Sequence, residues 1–420
     1  MRRFMMTKRR HVIFLVALVL VLIGGTMNLS AENVVKIAFT DPPTLKIGDM
    51  QIYHPSYAAM LAFKGAFEKY TSGRYTVELY PYGTLGDAAS NLEQILSGVT
   101  QGATPADGAL APFYKNIQVF SIPYLFDSAL TAYDILDGQF GRNLFDDMAK
   151  KAGFRVIASY DNGGYRNFSN SKREIQSASD MKNLKIRTMD IPVHMEIVKA
   201  LGASPTPIAF MELYSALQTG VVDGQENSAV TILGASLNEV QKYVTLDGHL
   251  LGLAFLVVGE DWFQGLSPAD QESALRAGRE ASFAARGTVR YAESLAIKTL
   301  QEVGVQVYSP TPEQMETFKV AQTNAVAWLK NNIDGKLVDE LVAVVESGSV
   351  GQGRPALVSQ PTTAQTPNAA ASTPAPTTTP ATALPAQDGG TSAGMVILYL
   401  LIGLVVGGGV AMIVLKRSKK

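Results

Sequence analysis

Hydrophobic positions recur along this chain with two alternating periods, and that alternation suggests its architecture. Residues 34–40 form an apolar run of strand length, and Tyr75, Val77 and Leu79 repeat at every second position, as in a half-buried strand. Between them Met60, Phe63, Phe67 and Tyr70 fall on one face of a helix over 56–70. Asp87 stands where it caps a helix over 88–97. Residues 101–126 read as a strand of small residues, a polar loop that exposes Asp107, and a strand of proline and aromatics. Residues 155–160 predict a strand leading into "DNGGYRNFSNS", and 184–188 predict another. Asp190 and Pro192 then read as a helix start and Gly202 as its end. A helix over 211–219 stops at Gly220, and a two-residue strand, 221–222, delivers a polar tip at 223–227. The run "GLAFLVV", 252–258, predicts a strand inside a sheet. Ser267 and Pro268 open a helix that ends at Gly304, about 50 Å long at ~1.5 Å per residue, with a kink expected near Gly287. Residues 317–345 read as helical. Strands alternating with helices predict an α/β fold.

In open α/β sheets ligands meet the carboxyl ends of strands, and two polar side chains lie at such ends, Arg187 and Asn227. A guanidinium offers a planar fork of donors that matches a carboxylate with two parallel hydrogen bonds. An asparagine beside it donates to a carboxylate oxygen or a neighbouring hydroxyl. The ordinary alternative is an arginine that is solvated or ion-paired at the surface. Arg166 follows a glycine pair, which suggests a chain crossover and a side chain aimed at the gap. If both arginines face one cleft, their mutual repulsion favours an anionic guest.

Composition narrows the function more than the fold. The 420 residues carry a net charge of −1 and no cysteine. Nothing therefore points to nucleic acid, and disulfides and thiolate metal sites are excluded. No G-x-S-x-G, H-E-x-x-H, phosphate-binding loop, dinucleotide fingerprint or calcium loop occurs, and His54, His194 and His249 lack metal-ligand spacing. No cofactor is expected. Asp223 and Glu226 could be imagined as an acid–base pair, but an enzyme is disfavoured.

The ends are distinctive. Lys8, Arg9 and Arg10 precede an apolar run over 12–25 and a small-residue site ending at Ala31, the layout of a secretory signal peptide over 1–31. Residues 354–392 are dominated by Pro, Thr, Ala, Ser and Gln and predict a disordered linker, with a reach on the order of 100 Å at ~3 Å per residue. Residues 395–415 are apolar and uncharged, long enough to span a bilayer, and the basic tail at 416–420 marks the cytoplasmic side. The expected protein is an exported monomer leashed to the outer face of its membrane.

The stretch "ALGASPTPIAF-E-Y-ALQTGVVDGQEN" resembles the signature of solute-binding proteins of tripartite ATP-independent periplasmic (TRAP) transporters, of the dicarboxylate-binding type. The likeness implies a two-lobed, type II periplasmic-binding-protein fold with interdomain crossovers and a long spine helix. It implies lobe I at 33–163 and 253–292, and lobe II at 164–252 and 293–348. It makes Arg187 the carboxylate clamp, with Asn227 assisting and Phe210 packing on the ligand, and adds Arg166 as a second contact. It places the first loop, "DPPTLKIGDMQIYHP", in the cleft, which makes Tyr53 and His54 ligand contacts; the residues alone equally suit His54 to capping the next helix. Asp223 and Glu226 become a structural strand tip, and Ser228 departs from the family's proline. The implied function is capture of a small organic acid for delivery to a TRAP permease. The alternatives are the ectodomain of a membrane sensor and an exported carboxylate-processing enzyme.

Overall fold

The computed structural model describes residues 33–347. The strands among them are β1 (Asn33–Ala38), β2 (Thr44–Ile47), β3 (Met50–Tyr53), β4 (Tyr75–Tyr80), β5 (Gly102–Ala103), β6 (Phe154–Asn170), β7 (Lys185–Thr188), β8 (Ser204–Pro207), β9 (Gly224–Ser228), β10 (Tyr243–Gly259) and β11 (Gln306–Tyr308). Nine of them make one sheet in the order β4-β1-β5-β10-β6-β9-β7-β8, with β11 beside β10. β4, β1 and β5 are mutually parallel at one end, and β9, β7 and β8 at the other. The antiparallel pair β6 and β10, 17 residues each, joins the two sets.

That pair gives the fold two halves. Residues 154–161 of β6 pair with the far part of β10 and residues 165–170 with its near part, and the register shifts between them. Gly163 and Gly164 sit at the shift with φ of +107° and +94°, a region that side chains other than glycine rarely adopt. Space demands glycine there as well. A Cβ on Gly163 would lie 2.4 Å from Ser228 Oγ, and one on Gly164 2.3 Å from Glu293 Oε1. The glycine pair read from sequence as a crossover is the point where the chain passes between the halves.

The helix Pro268–Glu302 is capped by Ser267, has Pro268 in its first turn as predicted, and continues unbroken through Gly287. Small residues at helical spacing line its buried face. Ala274, Ala277, Ala281 and Ala285 pack into the core of the first half with Val35, Ile37, Phe63 and Phe67. Ala292, Ala296 and Leu300 pack into a core of the second with Leu213, Leu217, Val230 and Ile232. One rod thus serves both halves.

Elsewhere the structure refines the local reading. Asp87 caps Ala88–Leu96, and Met60, Phe63 and Phe67 are fully buried on the helix Pro55–Tyr70. The helix Pro192–Ala200 starts after Ile191, with no side-chain cap from Asp190. The helix expected over 211–219 is a short 3-10 turn, Phe210–Glu212, followed by Leu213–Gln218. The strand expected at 221–222 lies at β9 instead, so Gly224–Ser228 is not an exposed tip but five buried residues in mid-sheet. Polar composition hid it, because its side chains are satisfied by residues far away in sequence. The first loop is a hairpin, β2–β3, whose Leu45 and Ile47 are buried in the core of the second half.

No helix among the described residues is long and apolar enough to cross a membrane. The signal peptide at 1–31, the linker at 354–392, the span at 395–415 and the tail at 416–420 lie outside the described residues.

The spine packs so closely on β6 that a Cβ on Gly278 would sit 1.9 Å from the Ile157 carbonyl oxygen. Gly278→Ala should therefore destabilise the fold by about 1–3 kcal/mol or more despite its better helix propensity, as measured by urea denaturation.

Candidate functional site

Both parallel sets point their carboxyl ends at the same gap. β1, β4 and β5 run out into 39–41, 81–83 and 104–107, while β7, β8 and β9 run out into Met189, Ile208–Phe210 and Ser228. The two rims touch at two places. A Cβ on Gly83 would meet Met211 Cε at 3.3 Å, and one on Gly108 would meet Met189 Sδ at 2.8 Å.

Arg187 stands on the second rim and is 2 % exposed. Its Nε donates to the Ile208 carbonyl at 2.8 Å, which fixes the direction of the fork. Three arginines are buried among the described residues. Arg166 holds Glu226 and Arg286 holds Asp137, whereas Arg187 holds no carboxylate. Burial pushes its guanidinium down to about 10; nearby Glu226 offsets this in part, and the positive charge of Arg166 adds to it. A cation kept out of water without a counter-ion is unfavourable, and its natural complement is an anion arriving from outside.

The register places Arg187 on the same sheet face as Gln225 and Asn227. The Asn227 amide donates to Gln225 Oε1, and Gln225 in turn donates to Ser169 Oγ at 2.7 Å. Asn227 is therefore held beside the arginine by a chain of side-chain hydrogen bonds. Phe210 is half-buried, opening the short 3-10 turn just after the carbonyl that orients Arg187.

Arg166 departs from expectation. It points to the opposite sheet face, where its Nε donates to Glu226 Oε2 and its Nη2 donates at 2.8 Å to Glu226 Oε1 and at 2.7 Å to the Glu226 carbonyl. Its charge is largely offset by that carboxylate, and what remains of its field adds to the burial that lowers Arg187. Glu226, expected in a strand tip, is the hub of a buried network. Burial alone would raise its carboxyl, but Arg166, then His194 and His249, outweigh this and hold it well below the usual range. His194 Nδ1 lies 3.6 Å from Oε1 and His249 Nε2 3.5 Å from Oε2. His249 stacks on Phe168 at 4.4 Å, and its Nδ1 lies 2.7 Å from Asp247 Oδ2. Burial would lower the His249 imidazole, but Asp247 and Glu226 raise it to about 9. Sequence spacing could not reveal two histidines converging on one glutamate, and among the described residues no group of side chains is arranged to hold a metal ion.

Asp107 is not the exposed loop residue the sequence suggested. It is 4 % exposed, accepts from the Gly108 amide at 2.8 Å and from Ser121 Oγ at 3.3 Å, and burial raises its carboxyl. His54 takes the capping role, its Nδ1 accepting from the Ser56 amide at 3.3 Å inside a site where burial lowers its pKa. Tyr53 is 54 % exposed at the end of the hairpin and tilts against Tyr57. Arg187 and Asn227 thus share one sheet face, Phe210 follows the carbonyl that orients Arg187, Arg166 pairs with Glu226 on the reverse face, His54 caps the helix Pro55–Tyr70, and Tyr53 ends the hairpin.

Comparison with known proteins agrees with this fold. Residues 51–331 match the family described as bacterial extracellular solute-binding protein, family 7. A solute-binding protein of Verminephrobacter eiseniae is 33 % identical over 267 residues, 64 % of this chain and 79 % of that protein. The 2,3-diketo-L-gulonate-binding periplasmic protein YiaO of Escherichia coli is 30 % identical over 251 residues, 60 % of this chain and 76 % of its own length. Among solved structures, a TRAP periplasmic solute-binding protein from Polaromonas sp. JS666 bound to D-erythronate superposes with a TM-score of 0.69 at 32 % identity, covering 74 % of this chain and 99 % of that one.

The Glu226 network sets a pH dependence. Glu226, with its folded pKa depressed, contributes stability above its ordinary pKa of 4.5 and loses it as acid protonates it in the fold. His249, with its folded pKa raised, contributes fully below 6.5 and loses its contribution as pH rises through about 9. Urea midpoints should therefore fall between pH 6.5 and 9, and His249→Asn should flatten that fall. Glu226→Ala, which strands Arg166 in the core, should cost about 3–5 kcal/mol at neutral pH.

Proposed function

The chain belongs to the bacterial extracellular solute-binding proteins of family 7, the binding components of TRAP transporters, and on that premise we propose that Arg187 grips the carboxylate of a small organic acid. The observation that carries this reading is the buried guanidinium without a counter-ion at the meeting point of two sets of strand ends. Asn227 supplies a neighbouring donor and Phe210 an apolar edge for the guest. Arg166 acts from behind, through Glu226, by holding β6 against β9 beneath the site.

We take lobe I as 33–163 with 253–292, and lobe II as 164–252 with 293–348. The glycine pair at 163–164 and the change of core along the spine helix between Ala285 and Ala292 support a division close to those boundaries, with the hairpin residues Leu45 and Ile47 reaching across it. An acid that touches both rims favours the closed arrangement, because only there are all its contacts made. The closed complex then delivers its cargo to a TRAP permease, as expected for the family. The layout of residues 1–31 and 395–415 supports export followed by anchoring to the outer face of the membrane.

A calorimetric screen of small organic acids against the full chain tests this. Arg187→Ala should weaken the best acid by about 3–5 kcal/mol, at least a hundredfold, and an unchanged affinity would rule out the grip. Arg187→Met should also raise the thermal midpoint of the unliganded protein, since it removes a charge that the empty fold holds at a cost. A fall in that midpoint would mean that the guanidinium serves the fold rather than a guest.

A further inference from the structure

A chain of polar groups that does not include Arg187 crosses from one rim to the other. Asp107 follows β5 on the first rim, and Ser121 ends the 3-10 turn Lys115–Ser121. His194 stands in the first turn of the helix Pro192–Ala200 on the second rim. Ser121 Oγ lies 3.3 Å from Asp107 Oδ2 and 3.3 Å from His194 Nε2, while His194 Nδ1 faces Glu226 Oε1 at 3.6 Å. Beside it, Gln118 Oε1 accepts from the Val193 amide at 3.2 Å, a second tie between the same turn and the same helix. Asp107, Ser121, His194 and Glu226 are all buried, at 4 %, 1 %, 2 % and 2 % exposure.

With every group in its ordinary state the chain has one hydrogen too few. Glu226 is held ionised and can only accept, so the hydrogen of a neutral His194 belongs on Nδ1, which leaves Nε2 a bare acceptor. Ser121 has a single hydrogen, and both Nε2 and an ionised Asp107 compete for it. One of the two contacts to Ser121 then sets lone pair against lone pair in a buried site, which is unfavourable. One added proton removes the conflict. On His194 it lets Nε2 donate to Ser121 and Ser121 donate to Asp107. On Asp107 it lets the carboxyl donate to Ser121 and Ser121 donate to Nε2. Burial raises the Asp107 carboxyl, which favours a proton there, while His194 and Arg166 oppose it.

We propose that Asp107, Ser121 and His194 form a proton-dependent latch between the rims, so that closing on the acid takes up one proton from solution. This rests on the closure and the carboxylate grip described above and adds a regulation of that site. In the open arrangement Asp107 and His194 face water separately, and neither needs the shared proton; closure sets both on one hydroxyl. The neighbouring charges do not impose the same demand. Arg166 and His249 face Glu226, and Asp247 faces His249, all within the second half, and Arg187 feels Glu226 and Arg166 there. Tyr124 reaches Asp247 from the first half at 3.5 Å, with a phenol that burial raises and keeps protonated. A closed form that holds one proton more than the open form gains affinity as pH falls and loses it as pH rises.

Calorimetry on the full chain tests this, with pyruvate, threonate, gluconate and tartrate as acids already ionised at neutral pH and the tightest of them as the probe. Binding heats taken in buffers of different ionisation enthalpy should show uptake of about one proton, and the dissociation constant should rise by up to about tenfold per pH unit where uptake occurs. Asp107→Asn replaces the proton with an amide N–H that donates to Ser121 permanently. Uptake should vanish in that variant, and the affinity the wild type shows at low pH should persist at high pH. Ser121→Ala should also abolish uptake but hold the affinity at the wild type's high-pH level, and it serves if the first variant folds poorly. Uptake that persists in either folded variant belongs to another group, such as His249 with its imidazole raised to about 9, and overturns the latch. Absence of uptake in the wild type overturns it too. Arg187→Ala run in parallel separates the two readings. If it abolishes binding while the wild type takes up no proton, the grip stands and the latch fails. If binding and uptake both survive it, the latch stands and the grip fails. If none of these acids binds the wild type, both fall.

Discussion

A positive charge held out of water without a counter-ion is the constraint around which this site is arranged. Arg187 could be neutralised from within by a single carboxylate, as Arg166 is by Glu226 and Arg286 by Asp137. Instead the chain supplies one carbonyl, enough to aim the fork and too little to discharge it. The rest of the local structure keeps that state tolerable. Asn227 is pinned by Gln225, Gln225 by Ser169, and Glu226 lies through the sheet where it moderates the field without touching the guanidinium. On the proposed grip, binding strength is stored as an unmet need in the empty protein, and structural stability is surrendered locally to keep it.

The proposed closure adds a second requirement, that two rims approach and separate without losing register. β6 and β10 meet it by being continuous through both halves, with one of their register shifts at the midpoint, where Gly163 and Gly164 adopt conformations and approaches closed to other residues. The rims themselves meet through methionines seated against glycine backbone, Met211 on Gly83 and Met189 on Gly108. A thioether is flexible and adaptable, which suits a contact that must form and break.

Sequence periodicity exposed the elements whose burial is one-sided. The helix stripe of Met60, Phe63 and Phe67, the capped helix after Asp87, and the spine after Ser267 and Pro268 were all legible, because local pattern and local capping agree there. β9 was not, since Gln225, Glu226 and Asn227 look like a solvated tip until their partners in β6, 56 and 60 residues away, are in place. The same distance hid the Arg166–Glu226 pair. Asp107 misled for the converse reason: beside a glycine it reads as a loop residue, yet Ser121 and the Gly108 amide bury it. The grip itself was visible only through family likeness, because one arginine at a strand end has no local signature.

The spine helix has a consequence for how the molecule comes apart. Its alanines at 274–285 belong to one core and those at 292 and 296 to another, while β6 and β10 run through the same two regions. Neither half can shed its interior without dragging a rod and two strands out of its neighbour. Melting is therefore expected as a single all-or-none event rather than half by half, with agreement between calorimetric and van't Hoff enthalpies as its sign.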